Sequence, residues 1–138
     1  MKKNILIIGY GNIASRLHAI LCKDSYKIYG MSRTRKRGLE NHIEWNWLYK
    51  DLPNLECNHF ESIIFIPKPS SRSLTGYQEG FLKSSENTFN FIEASKKIVY
   101  KKFITISSTG AYGRTTSQES YLDESSNIVP MFTEEDPY

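Results

Sequence analysis

The sequence has little of what marks a membrane, secreted or nucleic-acid-binding protein. Among its 138 residues no apolar run approaches the length of a membrane span, and the first residues lead into a strand pattern instead of a signal peptide. The two cysteines, Cys22 and Cys57, do not have metal-site spacing, so we expect reduced thiols. A formal net charge of +3 is too small to indicate nucleic-acid binding. We therefore predict a cytoplasmic protein with neither membrane nor nucleic acid as a partner.

Patterns typical of metal and hydrolase sites are also missing. The three histidines, His18, His42 and His59, include no pair at the spacing of helical metal ligands, so we interpret them as surface residues and predict no metal. Ser107 and Ser108 lack the Gly-x-Ser-x-Gly elbow of a hydrolase nucleophile. These patterns therefore argue against a metal site and against a serine hydrolase.

What the sequence contains is an alternation of apolar strand patterns with helical patterns. Strands are predicted at residues 5–8, 26–31, 42–47, 62–66 and 102–107, and helices at residues 12–23 and 75–98, the second interrupted near Gly80. Such alternation predicts an α/β fold: a Rossmann-type, doubly wound, mostly parallel sheet with helices on both faces. We expect one domain over residues 1–138, with a loop-rich, acidic tail from about residue 114.

The helical spacing also predicts which side chains reach the core. For the first helix the expected apolar face is Ile13, Leu17, Ile20 and Leu21, and for the second it is Phe81, Leu82, Phe89 and Ile92. Trp45 and Trp47 alternate in the third extended piece. We expect them to cover the core or a sheet edge, in preference to stacking on bases.

The first strand runs directly into a glycine turn and a helix. Gly9 and Gly11 follow the apolar run, Asn12 and Ile13 open the helix, and Ala14 occupies the third small position of a G-x-G-x-x-G/A pattern. The first glycine permits the tight turn, and the second lets a pyrophosphate approach the backbone at the helix N-terminus. This arrangement predicts dinucleotide binding.

The end of the second strand bears on which dinucleotide is bound. An Asp or Glu usually stands there to hold the ribose 2′-hydroxyl, but this sequence has Ser32 and Arg33. A guanidinium pairs with a 2′-phosphate, which a carboxylate would repel. We therefore predict NADP in preference to NAD; the other interpretation of this basic stretch is a solvated loop.

The segment from Phe103 to Gly113, Phe-Ile-Thr-Ile-Ser-Ser-Thr-Gly-Ala-Tyr-Gly, places hydroxyl side chains after a strand that we expect to be buried. Together with the glycine turn it resembles the short-chain dehydrogenase/reductase superfamily, and in particular its NAD(P)-dependent epimerase/dehydratase group. The resemblance implies that Ser108 holds the reacting oxygen of a substrate and that Tyr138 is the acid/base tyrosine. It implies hydride transfer on a nucleotide-sugar or another small alcohol or ketone.

The chain also departs from that group. Tyr138 is the last residue, so the lysine of Tyr-x-x-x-Lys is absent, and Pro67 stands where a small residue usually lets the backbone pass the cofactor ribose. We expect a chain truncated at its C-terminal end, with a sheet edge covered by self-association or by a completing partner. The main alternative is a non-catalytic NADP(H)-binding module or subunit, and the third is a fragment that binds no cofactor.

Overall fold

Five parallel strands form a single sheet in the computed structural model, which describes residues 1–23, 25–48, 53–95, 97–107 and 124–125. In space the strands follow the order β3-β2-β1-β4-β5. Their bounds are β1 Lys3–Ile8, β2 Tyr26–Ser32, β3 His42–Glu44, β4 His59–Phe65 and β5 Val99–Thr105. The order in which strands are added therefore reverses after β3. Strands β2 and β3 lie on one side of the central strand β1, and β4 and β5 lie on the other.

The connections are helical on both sides of the sheet. The helix α1 (Asn12–Leu21) joins β1 to β2. Between β4 and β5 the chain forms α2 (Leu74–Tyr77), a π-helical segment (Gln78–Lys83) and α3 (Ser84–Ala94) without a break. The interruption expected near Gly80 is this π-helical segment, and the helix ends at Ala94 instead of residue 98.

The side chains of β1 alternate between two apolar layers, as the two faces of a buried parallel strand require. On one face Leu6 and Ile8 pack with the aromatic side chains of Trp45 and Phe91. On the other face Ile5 and Ile7 pack with Ala14 and residues of α1. Helices thus cover both faces, and the predicted doubly wound α/β fold is confirmed.

The predicted apolar face of α1 is wrong at two positions. Ala14 is fully buried and Leu17 and Leu21 pack against the core, but Ile13 and Ile20 are 58% and 63% exposed. Because successive residues turn by about 100° around a helix, these two isoleucines lie well to one side of the buried row. The burial of the small Ala14 shows that α1 contacts the sheet closely at its first turn.

The predicted core residues of the second helical region are also partly wrong. Ile92 is buried as predicted and Phe81 is half-buried, whereas Leu82 and Phe89 are 53% and 45% exposed. Phe91, which was not predicted, is buried. The π-helical segment shifts the side-chain directions between its two ends, so a single helical period cannot describe the whole region. Trp45 is buried as expected, with its ring 5.1 Å from that of Phe91.

Candidate functional site

The carboxyl ends of four strands border one cleft of about 680 Å³. It follows β1 at the glycine turn, β2 at Ser32, β3 at Asn46 and β4 at Ile66. Open α/β sheets bind ligands at this edge, where the strand order reverses. All seven residues predicted to contact a cofactor line this cleft: Gly9, Gly11, Asn12, Ile13, Ser32, Arg33 and Pro67.

The glycine turn has the geometry that its sequence predicts. Gly9 has a φ of +94°, and a Cβ added there would lie 2.2 Å from the carbonyl oxygen of Ile66. The amides of Gly9 and Tyr10 both donate to the carbonyl of Met31, at 2.9 and 3.1 Å. A Cβ on Gly11 would meet nothing within 4 Å, so its outer side is open to the cleft.

The helix α1 begins at this turn, with Gly11 as its N-cap. Glycine has no side chain to accept from the first helical amides, and no side-chain cap is found among the described residues. Asn12, Ile13 and Ala14 border the cleft. The cleft therefore receives the amide groups and the positive dipole end of a ten-residue helix.

Tyr10 links the turn to the middle of α1. Its hydroxyl lies 2.7 Å from Nδ1 of His18, and the two rings meet edge to face with centroids 6.0 Å apart. Burial raises the pKa of Tyr10, so this phenol remains neutral at physiological pH. His18 is half-buried in this contact, which corrects its prediction as a surface residue.

Ser32 supports the loop that carries Arg33. Its Oγ donates to the carbonyl of Thr34 at 2.8 Å and lies 2.7 Å from Nε2 of His42, whose N–H therefore donates to it. Burial lowers the pKa of His42; Glu44 opposes that shift, whereas Arg35 and Lys36 add to it. Ser32 therefore lies at the cleft as predicted, with its hydroxyl already engaged, and His42 is a second half-buried histidine.

Arg33 is exposed at the cleft, and its guanidinium lies over the ring of Trp47 at 5.8 Å from the centroid. Trp47 is itself held to α3, since its carbonyl accepts from the side chain of Asn87. Lys36 borders the cleft near Arg33, and Lys68 borders it after β4. None of the described residues lining the cleft is acidic, so its electrostatics favour an anionic ligand.

A smaller cleft of about 300 Å³ beside β3 has the opposite character. It is bordered by Glu40, Glu44 and Glu56 and contains none of the predicted cofactor residues. Its carboxylates would repel phosphate groups. Among the described residues no cluster of three or more metal-ligating side chains occurs, and no helix is long and apolar enough to cross a membrane.

Sequence reasoning missed several residues of the larger cleft. Tyr10, Asn46, Trp47 and Lys68 border it, although none was predicted as a site residue. Each follows the carboxyl end of a strand, and that position was the available signal. Ser108 and Tyr138, predicted as catalytic, lie outside the described residues.

The fold and the cleft are those of a doubly wound, Rossmann-type domain. No family model matches the sequence, and no curated protein matches it either. Among solved structures it is similar to a "putative NAD-dependent epimerase/dehydratase" from Methylobacillus flagellatus, with a TM-score of 0.63 and 19% identity. The match covers 93% of this chain and 44% of that one, so the chain spans less than half of its neighbour's length. Likeness at this identity shows the fold.

Proposed function

We propose that this chain binds a nicotinamide dinucleotide in the 680 Å³ cleft, with NADP preferred to NAD. The observation that carries the proposal is that the glycine turn and a cationic loop border the same cleft, whose lining contains no acidic side chain among the described residues. The solved structure named above is described as NAD-dependent, which supports a nicotinamide dinucleotide and does not itself favour NADP.

The pyrophosphate is assigned to the N-terminus of α1. The open side of Gly11 leaves room for phosphate oxygens, and the uncapped amides that follow are hydrogen-bond donors at the positive end of the helix. Gly9 keeps the turn tight against Ile66, where any side chain would collide with backbone. The turn can therefore bring its own amides to the ligand.

The 2′-phosphate is assigned to Arg33, with Lys36 beside it. Arg33 follows β2, and its guanidinium lies over the ring of Trp47. Because this contact already restricts the side chain, Arg33 loses less conformational entropy when it binds a phosphate. A bidentate guanidinium–phosphate pair gives both energy and specificity. The alternative partner, the 2′-hydroxyl of NAD, offers no charge to such a group.

A complete enzyme of this kind would move a hydride between the nicotinamide and a small alcohol, ketone or nucleotide-sugar. The cofactor supplies that chemistry, and the protein supplies position and electrostatics. The roles of Ser108 with the substrate oxygen and of Tyr138 as acid/base stay predictions. So does the alternative of a non-catalytic NADP(H)-binding module, because binding at the described cleft is common to both.

Calorimetric titration of the wild-type chain with NADPH and NADH tests the proposal. We expect NADPH to bind more tightly, and Arg33→Ala to weaken NADPH by about one to two decades, since a charged hydrogen-bonded contact contributes roughly 1.5–3 kcal/mol. NADH affinity should change little. Arg37→Ala is the matched control, because it removes the same charge from the same loop at a residue that does not border the cleft.

The outcomes separate the two parts of the proposal. Equal affinity for both nucleotides, or equal losses in the two variants, would contradict the NADP preference and leave the dinucleotide site standing. If the wild-type chain binds neither nucleotide, the proposed function is wrong.

A further inference from the structure

One wall of the cleft is a loop, and the loop is packed backbone to backbone against the helical region that follows it. Residues 66–70 come after β4 and border the cleft throughout. Two of these residues are prolines, which donate no backbone hydrogen bond and cannot by themselves secure the loop in a ladder. Ile66 is still joined to the sheet, since its amide donates to the carbonyl of Ile8 at 2.8 Å. The position of residues 67–70 must come from contacts outside the sheet.

Those contacts are made at two glycines, Gly76 and Gly80. A Cβ added to Gly80 would lie 2.2 Å from the carbonyl oxygen of Lys68 and 2.4 Å from Cα of Pro69. A Cβ added to Gly76 would lie 2.3 Å from the carbonyl oxygen of Ser71. Both glycines are buried, and backbone atoms, which cannot rotate away as a flexible side chain can, obstruct a Cβ at each. At Gly76 the hydroxyl of Ser71 is an additional obstacle at 2.3 Å.

Hydrogen bonds join the same two segments. The amide of Ser70 donates to the carbonyl of Gly76 at 3.1 Å, and its hydroxyl donates to a carboxylate oxygen of Glu79 at 3.3 Å. Within the helical region itself, Ser84 Oγ donates to the carbonyl of Gly80. The loop that forms the wall is therefore joined to the helical region by two hydrogen bonds of Ser70, one to α2 and one to the π-helical segment, and by the backbone contact at Gly80.

The order of the strands says which part of a dinucleotide this wall would meet. Arg33 follows β2 and the glycine turn follows central β1, whereas the wall follows β4 on the opposite side of β1. With the 2′-phosphate at Arg33 and the pyrophosphate at the turn, the ligand must continue over β4. The nicotinamide half then lies against residues 66–70.

We propose that Gly76 and Gly80 are positioning residues that set this wall for the nicotinamide half of the ligand. The inference rests on the proposed function. Neither glycine borders the cleft; they act through the loop, since a side chain at either position pushes residues 68–71 from their place toward the cleft or away from it. The adenosine half, held at Arg33 and the turn, is unaffected by such a shift.

Two ligands and one substitution test the proposal. NADPH spans both halves of the site, whereas adenosine 2′,5′-bisphosphate lacks the nicotinamide half. We expect Gly80→Ala to weaken NADPH about tenfold or more, the loss of one good contact, and to leave the affinity for adenosine 2′,5′-bisphosphate unchanged. Gln78→Ala, at an exposed position of the same π-helical segment, should change neither affinity.

A merely structural role for Gly80 would weaken both ligands together, and that result would overturn the inference. Unchanged NADPH affinity in a folded Gly80→Ala protein would also overturn it. If the wild-type chain binds neither ligand, the proposed function itself is wrong. If the wild-type chain binds both ligands and Gly80→Ala weakens them equally, the proposed function stands and only this inference is wrong.

Hydrogen exchange on the wild-type chain keeps the inference testable if the variant does not fold. NADPH should protect the amides of Lys68, Ser70 and Ser71, whereas adenosine 2′,5′-bisphosphate should not. Equal protection by the two ligands, or protection by neither, would contradict the placement of the nicotinamide half on this wall.

Discussion

Gly9 and Gly38 both have positive φ angles, +94° and +79°, but their surroundings differ. A Cβ at Gly9 would lie 2.2 Å from the carbonyl oxygen of Ile66, whereas a Cβ at Gly38 would meet nothing within 4 Å. The two positions therefore share backbone strain for an L-residue, and only one of them adds a collision with backbone.

This difference gives a matched pair of substitutions. We expect Gly9→Ala to lower the free energy of unfolding by about 2–4 kcal/mol, and Gly38→Ala by about 1 kcal/mol, because only the first adds a clash to the unfavourable φ. Urea unfolding followed by circular dichroism measures both. Equal losses would mean that the approach of Ile66 contributes nothing to the requirement for glycine.

His42, which contacts Ser32, is a second residue whose effect on the free energy of unfolding can be measured, because that effect depends on pH. Burial lowers the pKa of His42 below its usual value of about 6.5, so the folded protein resists a proton that the unfolded chain accepts. This contribution to stability is fully present above about pH 6.5. It is lost as the pH falls from there through the lowered pKa of the folded state.

We expect the wild-type free energy of unfolding to fall between about pH 7.5 and pH 5 more steeply than that of His42→Gln. The glutamine amide can still donate to Ser32, but it does not titrate. Urea unfolding at several pH values in this window measures the difference. Parallel pH profiles for the two proteins would show that His42 is not the group responsible.

At the scale of the element, α3 shows that packing, and not the helical period of the sequence alone, determines which side of a helix is buried. Neighbouring aromatic residues two positions apart lie in different surroundings. Phe91 is 1% exposed and packs on Trp45, whereas Phe89 is 45% exposed and contacts Phe65 and Phe103 at ring distances of 6.2 and 5.5 Å.

We expect Phe91→Ala to lower the free energy of unfolding by about 3–5 kcal/mol, the usual cost of emptying a buried aromatic site. Phe89→Ala should cost about 1 kcal/mol, since much of its ring already meets solvent. Denaturant unfolding of the two variants measures both values. A larger loss for Phe89→Ala than for Phe91→Ala would mean that α3 buries its other side in the core.

On the scale of the whole molecule, the strand order brings distant segments to one edge. The carboxyl ends of β1, β2, β3 and β4 all border the same cleft. Gly9, after β1, and Ile66, after β4, are 57 positions apart in the sequence, yet both line it. β5 lies at the edge of the described sheet, where Val99, Tyr100 and Ile104 are 40–53% exposed. Self-association or a completing partner at this edge stays a prediction.

The sequence alone was sufficient for features that depend on neighbouring residues. The buried strand of residues 5–8, the turn at Gly9 and the start of a helix at Asn12 follow from a local apolar run and local glycine geometry. The alternation of such units then predicted the doubly wound sheet. Because these signals are local, they can be interpreted without knowledge of the rest of the chain.

Tertiary structure decided the remainder. Three contacts join residues 10 to 14 positions apart in the sequence: Arg33 over Trp47, Ser32 with His42, and Gly80 against Lys68. No sequence period encodes such contacts, because they arise only when strands and helices are brought together by burial of their apolar faces. The same burial determined which face of α1 and of α3 meets the sheet, and so left Ile13 and Phe89 exposed.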